Sequence, residues 1–319
     1  MGSGRVSRPS GGGYTAGMAG SQVNWRRLYP FAPHELALAG LRYHYVDEGR
    51  GETILLVHGN PTWSFYWRNL VLALRARYRV IAPDHIGCGL SDKPQEYCYR
   101  LAQHVANLVE LLDRLDLSQV SMVGHDWGGA IGIGAALDRP HRVARLVLLN
   151  TGAFPPPYVP WRIRLCRVPW LGTFVIRRLN LFALAALRMA VAKPEMMTPA
   201  VRAGFLAPYD SWADRVAIEA FVRDIPFTRC HPTWRTLERM EQELPRLADR
   251  PVQLIWGMRD WCFTAECLQR LLQAFPRADV LRLEDAGHYV VEDAHERIVA
   301  ALIDFLERHP LQERRSASR

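Results

Sequence analysis

The chain has 319 residues, of which 49% are hydrophobic and 23% are charged. This length and composition favour one large α/β domain with a sizeable core and room for an inserted subdomain. The formal net charge is +8 and the isoelectric point is about 9.4. The excess cations are arginines spread over predicted helix faces, and no Lys/Arg block carries interleaved aromatic residues. This pattern argues against a nucleic-acid-binding protein.

The cysteines and the chain ends indicate a cytoplasmic protein. Six cysteines include no C-x-x-C pair and no ligand cluster, which predicts free thiols in a reducing compartment and no metal site. No apolar run reaches the roughly 18 residues that a membrane span needs. Residues 1–25 are rich in Gly and Ser and lack the apolar stretch of a secretory signal, and residues 310–319 are polar and basic. Both segments are predicted to be disordered.

Short apolar runs alternate with amphipathic helical patterns through most of the chain. This alternation is typical of a mostly parallel, doubly wound α/β sheet, in which loops at the carboxyl ends of the strands build the active site. The predicted strands are residues 41–46, 53–57, 78–82, 120–123, 146–149, 252–256 and 279–283. The predicted helices are residues 63–74, 101–115, 128–137, 266–275 and 292–308.

The alternation stops between residues 152 and 228. Three prolines at residues 155–157 open this segment, and Trp, Phe, Leu and Arg follow at helical spacing without a strand pattern. We interpret the segment as a helical cap inserted into an α/β core of residues 26–151 and 229–309. Its apolar run at residues 181–192 is predicted to be a packed helix. Ten basic and five acidic residues give the cap a net charge of +5, which fits a solvated helix face or an attraction for anions.

The pentapeptide Gly-His-Asp-Trp-Gly at residues 124–128 separates a buried strand from a helix rich in small residues. It has the form of a nucleophile elbow, with Asp126 where a serine hydrolase has Ser. A carboxylate that attacks a saturated carbon leaves an ester that water can hydrolyse, whereas Ser would leave an inert ether. Asp126 is therefore the predicted nucleophile, although a glycine-rich turn with a helix-capping Asp would show the same pattern.

A carboxylate nucleophile needs a base that activates water and an acid that orients the base. His288 lies in a predicted loop between the last strand and the final helix, and it follows Asp126 in the order expected of α/β-hydrolases. Asp260 follows the strand at residues 252–256 and is the predicted orienting acid. The rival position is Asn150, which is not a carboxylate. Asp260 in a turn and His288 on the surface are the simpler alternatives.

Two residues are expected to stabilise a leaving group. Trp127 follows the nucleophile and offers an indole N–H, and Asn60 follows the first buried strand and offers a side-chain NH2. Two donors aimed at one point suit a halide or a departing carboxylate, and the backbone N–H groups of the same residues would form an oxyanion hole. Taken singly, each residue also fits an ordinary role, a turn Asn before Pro61 or a Trp packed under the cap.

Four motifs closely resemble the haloalkane dehalogenase family of the α/β-hydrolase superfamily, and the similarity extends from about residue 29 to residue 308. The motifs are His-Gly-Asn-Pro-Thr-Trp at residues 58–63, Pro-Asp-His-Ile-Gly-Cys-Gly-Leu-Ser-Asp at residues 83–92, Gly-His-Asp-Trp-Gly-Gly at residues 124–129 and Gly-His-Tyr at residues 287–289.

The resemblance implies an α/β-hydrolase fold with an inserted helical cap, a triad of Asp126, His288 and Asp260, and no metal or organic cofactor. The donor pair of Asn60 and Trp127, with the acid at Asp260, resembles the third subfamily of these enzymes. That subfamily includes the β-lactone decarboxylase of bacterial olefin biosynthesis, to which cap residues 207–212 and 222–226 are similar.

The resemblance leaves two activities open. In a haloalkane dehalogenase, Asp126 would displace a halide and water activated by His288 would hydrolyse the alkyl ester. In a β-lactone decarboxylase, the same donors would hold a carboxylate, and a cis-β-lactone would give a cis-alkene and CO2. Both imply a small hydrophobic substrate, a haloalkane or a long-chain β-lactone, and no nucleic-acid partner. Both are compatible with a homo-oligomer or a complex with another enzyme of the pathway.

Two further classes fit the motifs less well. An epoxide hydrolase shares the Asp elbow and the His/Asp pair. That family uses two cap tyrosines and usually has an aromatic residue at the position of Asn60, and the cap here has only Tyr158 and Tyr209. A non-catalytic receptor on the same fold is the other alternative, since fold does not fix function. The intact nucleophile, base and acid argue against it.

Overall fold

The computed structural model describes residues 24–311. Within this range a single sheet of eight strands forms the centre of the molecule. The strands are β1 (His34–Leu38), β2 (Leu41–Glu48), β3 (Thr53–Val57), β4 (Arg79–Pro83), β5 (Val120–Asp126), β6 (Val143–Thr151), β7 (Val252–Gly257) and β8 (Asp279–Leu283).

The strand order across the sheet is β1-β2-β4-β3-β5-β6-β7-β8. β2 pairs antiparallel with both β1 and β4, and all other neighbouring strands pair in parallel. The register places Val57 opposite Gly124 and Asp126 opposite Thr151. The carboxyl ends of β3, β5, β6 and β7 therefore meet at one edge of the sheet. This topology confirms the predicted mostly parallel, doubly wound α/β sheet.

Helices cover both faces of the sheet. Alternate side chains of β3 enter two separate apolar clusters, with Leu55 and Val57 on one face and Ile54 and Leu56 on the other. This explains why the central strands are continuous apolar runs, since a strand buried on both faces has no polar side. The helices are α1 (Arg68–Leu74), α2 (Leu101–Arg114), α3 (Trp127–Asp138), α4 (Trp161–Leu165), α5 (Leu171–Thr173), α6 (Leu181–Met189), α7 (Pro199–Leu206), α8 (Val216–Asp224), α9 (Pro232–Glu243), α10 (Ala265–Ala274) and α11 (Val290–Arg308).

Every predicted strand is present, and those at residues 53–57 and 279–283 have the predicted bounds. The sequence analysis missed β1, an antiparallel edge strand in which only Leu38 is buried. It also missed α9, whose first residue is a proline. The helix predicted at residues 63–74 consists of a 3-10 turn, Ser64–Trp67, followed by α1.

The segment between β6 and α9 contains α4 to α8 and, in the described chain, no strand. This confirms the inserted helical cap, whereas the boundaries at residues 152 and 228 stay a prediction. The packed helix predicted at residues 181–192 is α6, which buries Ala183 and Leu187 but exposes Leu181 and Leu184. The predictions of disorder for residues 1–25 and 310–319 fall almost entirely outside the described residues.

Two predictions from composition concern the thiols and the apolar helices of residues 24–311. All six cysteines are free, and Cys88 and Cys267 are buried. Within this range no helix combines the length and apolarity required to cross a membrane.

A buried ion pair joins α1 to the start of α11, the helix that follows the loop of His288. The guanidinium of Arg68 donates to both carboxylate oxygens of Glu292, at 2.6 and 2.8 Å, and both side chains are almost fully buried. Removal of one partner from such a pair leaves the other charge in a low-dielectric interior without compensation. A second ion pair joins Arg77, in the turn after α1, to Glu307 of α11, but both of its side chains are more than half exposed.

We expect Arg68→Ala to lower the free energy of unfolding by about 3–5 kcal/mol, because Glu292 stays buried without a partner. The matched control Arg77→Ala should cost much less, since an exposed ion pair is screened by solvent. Urea unfolding followed by tryptophan fluorescence measures both values. Equal losses for the two variants would show that the buried pair contributes no more to the free energy of unfolding than the exposed pair.

Candidate active site

The predicted elbow is present as a strand, a sharp turn and a helix. Asp126 ends β5 with φ 54° and ψ −130°, and α3 begins at the next residue. A non-glycine residue in this region carries strain of about 1–3 kcal/mol. The turn also brings two backbones so close that a Cβ on Gly128 would lie 2.1 Å from the carbonyl oxygen of Val57. The elbow therefore needs glycine at residue 128 and projects the Asp126 side chain away from the sheet.

The two carboxylate oxygens of Asp126 have different surroundings. Oδ1 accepts a hydrogen bond from the backbone N–H of Asn60 at 2.8 Å, and the backbone N–H of Trp127 also donates to the carboxylate. Oδ2 lies 3.6 Å from Nε2 of His288. Burial raises the pKa of Asp126 above its ordinary value, and the His288 charge and the two backbone donors offset only part of this rise. Oδ2 is thus the oxygen that faces the base.

His288 lies in the loop between β8 and α11, where hydrogen bonds fix both its side chain and its backbone. Its Nδ1 donates to Oδ2 of Asp260 at 2.8 Å, and its carbonyl oxygen accepts from Nε2 of His125 at 2.8 Å. Phe263 stacks on the imidazole with ring centroids 5.7 Å apart. Burial lowers the pKa of His288, but the charges of Asp260 and Asp126 and the hydrogen bond to Asp260 outweigh it and raise the pKa. The ring is therefore oriented with Nε2 toward Asp126.

Asn150 holds the acid in place, a role that the sequence analysis missed. Its side-chain NH2 donates to Oδ2 of Asp260 at 2.9 Å, and the backbone N–H of Cys262 donates to Oδ1 at 2.6 Å. The Asn150 amide is itself fixed by the backbone of Gly257, through bonds of 2.8 and 3.1 Å. The available signal was its position: Asn150 lies at the end of β6, where related enzymes can carry the acid itself.

The loop that carries Asn60 is fastened to the loop after β4. The backbone N–H of His85 donates to Nε2 of His58 at 3.1 Å, and Nε2 of His85 bonds the carbonyl oxygen of His58 at 3.0 Å. The buried carboxylate of Asp84 accepts from the backbone N–H of Ser64 at 2.7 Å. These contacts give Asp84 and His85 of the motif at residues 83–92 a structural role: they fix the Asn60 loop to the loop after β4.

The side chains of Asn60 and Trp127 both line the cavity in front of Asp126. The Asn60 NH2 donates to the carbonyl oxygen of Ile218 on α8 at 3.3 Å. An NH2 group has two hydrogens, so the second one is available to a ligand. The Trp127 ring packs against Phe221 of the same cap helix, with centroids 5.6 Å apart. The cap therefore sets the positions of both predicted donors.

The cavity has a volume of about 330 Å³ and lies between the sheet and the cap. Four of the five predicted site residues line it: Asn60, Asp126, Trp127 and His288. The fifth, Asp260, is outside the lining and is hydrogen-bonded to His288. The cavity walls are mainly apolar and come from the loop after β6 and from α4, α6 and α8. Among residues 24–311, no group of three or more His, Cys, Asp or Glu side chains is arranged to hold a metal ion. The site therefore suits an apolar substrate that reacts with a carboxylate.

The two cap tyrosines do not form the pair that an epoxide hydrolase uses. Tyr209 is buried outside the cavity lining, where its hydroxyl donates to the carbonyl oxygen of Thr62 at 3.3 Å. Tyr158 lies at the rim and is 57% exposed. Only one of the two can therefore approach a substrate oxygen, which weakens the epoxide hydrolase hypothesis.

Comparisons with known proteins agree with this fold. Residues 52–294 match the family described as alpha/beta hydrolase fold. The chain is 44% identical over 297 residues to the cis-3-alkyl-4-alkyloxetan-2-one decarboxylase of Xanthomonas campestris pv. campestris, covering 89% of this chain and 98% of that protein. It is 36% identical over 283 residues to haloalkane dehalogenase 2 of Mycobacterium bovis, covering 87% and 96%.

A solved structure gives the same result. The haloalkane dehalogenase DatA from Agrobacterium tumefaciens is similar with a TM-score of 0.80 and 26% identity, covering 87% of this chain and 96% of that one. This likeness confirms the α/β-hydrolase fold and the resemblance that the motifs indicated. The chain belongs to the α/β-hydrolase family, in the group that contains haloalkane dehalogenases and cis-3-alkyl-4-alkyloxetan-2-one decarboxylases.

Proposed function

We propose that the protein is a β-lactone decarboxylase that converts a cis-3,4-dialkyl oxetan-2-one into a cis-alkene and CO2. One observation carries the choice: identity is higher with the decarboxylase relative, 44%, than with the dehalogenase relative, 36%, although both alignments span nearly the whole chain. The apolar cavity in front of a single carboxylate supports the same choice, since the two alkyl chains of such a lactone need apolar walls.

The site supports a two-step reaction. In the first step Oδ2 of Asp126 attacks C4 of the lactone ring, the C4–O1 bond breaks, and a carboxylate is released that stays attached to C3. The Asn60 NH2 and the Trp127 indole N–H are the donors that hold this carboxylate. C4 is inverted in this displacement.

In the second step the electron pair of the C2–C3 bond forms the C3=C4 double bond and CO2 leaves. The C4–Oδ2 bond breaks and its electron pair returns to Asp126. Inversion at C4 followed by anti fragmentation converts a cis-lactone into a cis-alkene. The sum consumes no water and no proton, so Asp126 is regenerated directly.

A second candidate is a haloalkane dehalogenase, and the His288–Asp260 pair favours it. A water-free decarboxylation requires no proton transfer, whereas hydrolysis of an alkyl ester requires a base. In this reaction Asp126 displaces a halide held by Asn60 and Trp127. Nε2 of His288 then takes a proton from a water that attacks Cγ of Asp126. The oxyanion forms on Oδ1, which already accepts from the backbone N–H of Asn60, and the backbone N–H of Trp127 donates to the same carboxylate.

A comparison of two substrates separates the candidates. With a synthetic long-chain cis-β-lactone we expect cis-alkene, measured by gas chromatography, and with a bromoalkane only slow bromide release. Asp126→Asn should lower alkene formation by roughly 10⁴-fold, because the nucleophile is lost. The matched control Asp304→Asn, at an exposed carboxylate of α11, should keep full activity. Bromide release without alkene would assign the second function instead.

His288→Gln tests whether the base serves a hydrolytic step. With a bromoalkane, the variant should accumulate the Asp126 ester, because water is no longer activated. Intact-mass spectrometry should then show the protein mass increased by one alkyl group. With the β-lactone the same variant should show no lasting adduct, since the second step returns Asp126 without water. A folded variant whose mass is unchanged by the bromoalkane would argue against covalent catalysis at Asp126.

Asp260→Asn tests the orienting acid through pH. The charge of Asp260 and its hydrogen bond raise the pKa of His288, so the variant should have a lower His288 pKa than the wild type. Hydrolysis of the alkyl ester needs neutral His288, and its rate is lost as the pH falls through this pKa. The acid limb of single-turnover ester hydrolysis should therefore move to lower pH, and the plateau rate should fall on the order of 10³-fold. An acid limb at the wild-type pH would exclude this role for Asp260.

A further inference from the structure

The exposed apolar side chains of the protein are concentrated on one stretch of the cap. We call residues 157–189, which include α4, α5 and α6, the mouth face. Trp170 is 88% exposed and Trp161 is 62% exposed, both far above the exposure usual for tryptophan. So many exposed apolar side chains within one stretch of the cap favour an interaction surface. Within residues 24–311, eleven of the fifteen exposed large hydrophobic residues lie on it: Tyr158, Trp161, Leu165, Val168, Trp170, Leu171, Phe174, Leu179, Leu181, Leu184 and Met189.

The mouth face carries charge of one sign only. It contains six arginines and no Asp, Glu or Lys. In the part of the chain that the structure describes, its one ion pair joins Arg177 to Glu219 of α8, at 3.8 Å. The guanidinium of Arg162 lies over the Trp161 ring, 5.0 Å from its centroid. Arg178 and Arg188 are exposed. Aromatic and aliphatic side chains interleaved with uncompensated arginines are the composition of a segment that lies in a membrane interface.

The active-site cavity opens on this same face. Six of its lining residues are exposed, and all six belong to the mouth face, whereas the remaining lining residues are buried or half-buried. A substrate that enters from outside must therefore pass between these side chains to reach Asp126. The six are Pro157, Tyr158, Arg162, Leu181, Ala185 and Met189.

We propose that the mouth face docks on an anionic lipid surface, from which an apolar substrate passes directly into the cavity. The arginines complement the lipid charge, while Trp161 and Trp170 enter the headgroup region, so that attraction and burial act together. A second copy of the chain fits less well, because a two-fold interface repeats the same patch and would set six arginines against six. The statement about substrate entry rests on the proposed function, whereas docking itself does not.

Sedimentation with lipid vesicles tests docking on the full chain without substrate. We expect the protein to bind vesicles of equimolar phosphatidylcholine and phosphatidylglycerol, to bind pure phosphatidylcholine weakly, and to dissociate in about 0.5 M NaCl, where charges are screened within a few ångströms. Arg178→Glu combined with Arg188→Glu should lower the vesicle partition coefficient at least tenfold, since each basic residue near an anionic surface contributes roughly a fivefold factor.

Two matched controls separate this surface from general stickiness. Trp170→Ser should lower vesicle binding several-fold, whereas Leu72→Ser, at an exposed leucine of α1, should leave it unchanged. Arg282→Glu, at an exposed arginine of β8, is the control for charge. Circular dichroism and the melting temperature verify that each variant is folded. Equal loss in the controls would overturn the proposal.

The other occupants of the face give different results. A wild-type dimer in analytical ultracentrifugation that Trp170→Ser converts to a monomer, without vesicle binding, would identify a self-association surface and overturn the proposal. A monomeric wild type that does not bind anionic vesicles at low salt would also overturn the proposal. A protein partner would then be the remaining occupant of the mouth face.

Turnover measurements keep this proposal distinct from the proposed function. Trp170 does not line the cavity. Trp170→Ser should therefore keep wild-type turnover of a β-lactone dispersed in detergent and show several-fold lower turnover of the same lactone embedded in vesicles. Vesicle binding without any lactone turnover would remove the proposed function and retain docking. Lactone turnover without vesicle binding would do the reverse.

Discussion

The rest of the active site depends on the strained turn at Asp126. The last residue of a buried parallel strand normally keeps an extended backbone. At Asp126 a φ of 54° turns the chain out of the sheet plane. The turn is accompanied by direct packing of the α3 backbone on β3. This close approach leaves no room for a side chain at residue 128, which is glycine. The same turn leaves the Asp126 carboxylate within reach of the backbone N–H groups of Asn60 and Trp127. Backbone strain, helix packing and these two hydrogen bonds are thus consequences of one backbone geometry.

The parallel sheet brings the partners of Asp126 together. β3 and β6 flank β5 and β7 lies next to β6, so Asn60, Asn150 and Asp260 come to the same edge from distant parts of the chain. The side chain of each makes a hydrogen bond to a backbone group: Asn60 to Ile218, Asn150 to Gly257 and Asp260 to Cys262. Such support leaves little freedom, and a rigid set of dipoles is what charge stabilisation in a reaction requires.

Much of the site could be predicted because its signals are local. The elbow at residues 124–128 shows its glycines and its strand and helix in one short stretch, and the strand at residues 53–57 has no polar side. The edge strand β1 was missed because a half-exposed strand mixes polar and apolar residues and resembles a loop. Asn150 was set aside because its role depends on Asp260 and Gly257, which lie more than a hundred residues away in the chain.

The sequence by itself determined the fold class, the family and the set of reactive residue types, since these follow from periodicity and from motifs within a few residues. The tertiary structure alone decided which oxygen of Asp126 faces His288, that Asn150 hydrogen-bonds to Asp260, and that Tyr209 lies outside the cavity. It also decided that the exposed part of the cavity lining comes from the cap and includes Tyr158 and Arg162. The physical reason is that exposure and orientation are set by contacts between segments distant in sequence, which no local pattern records.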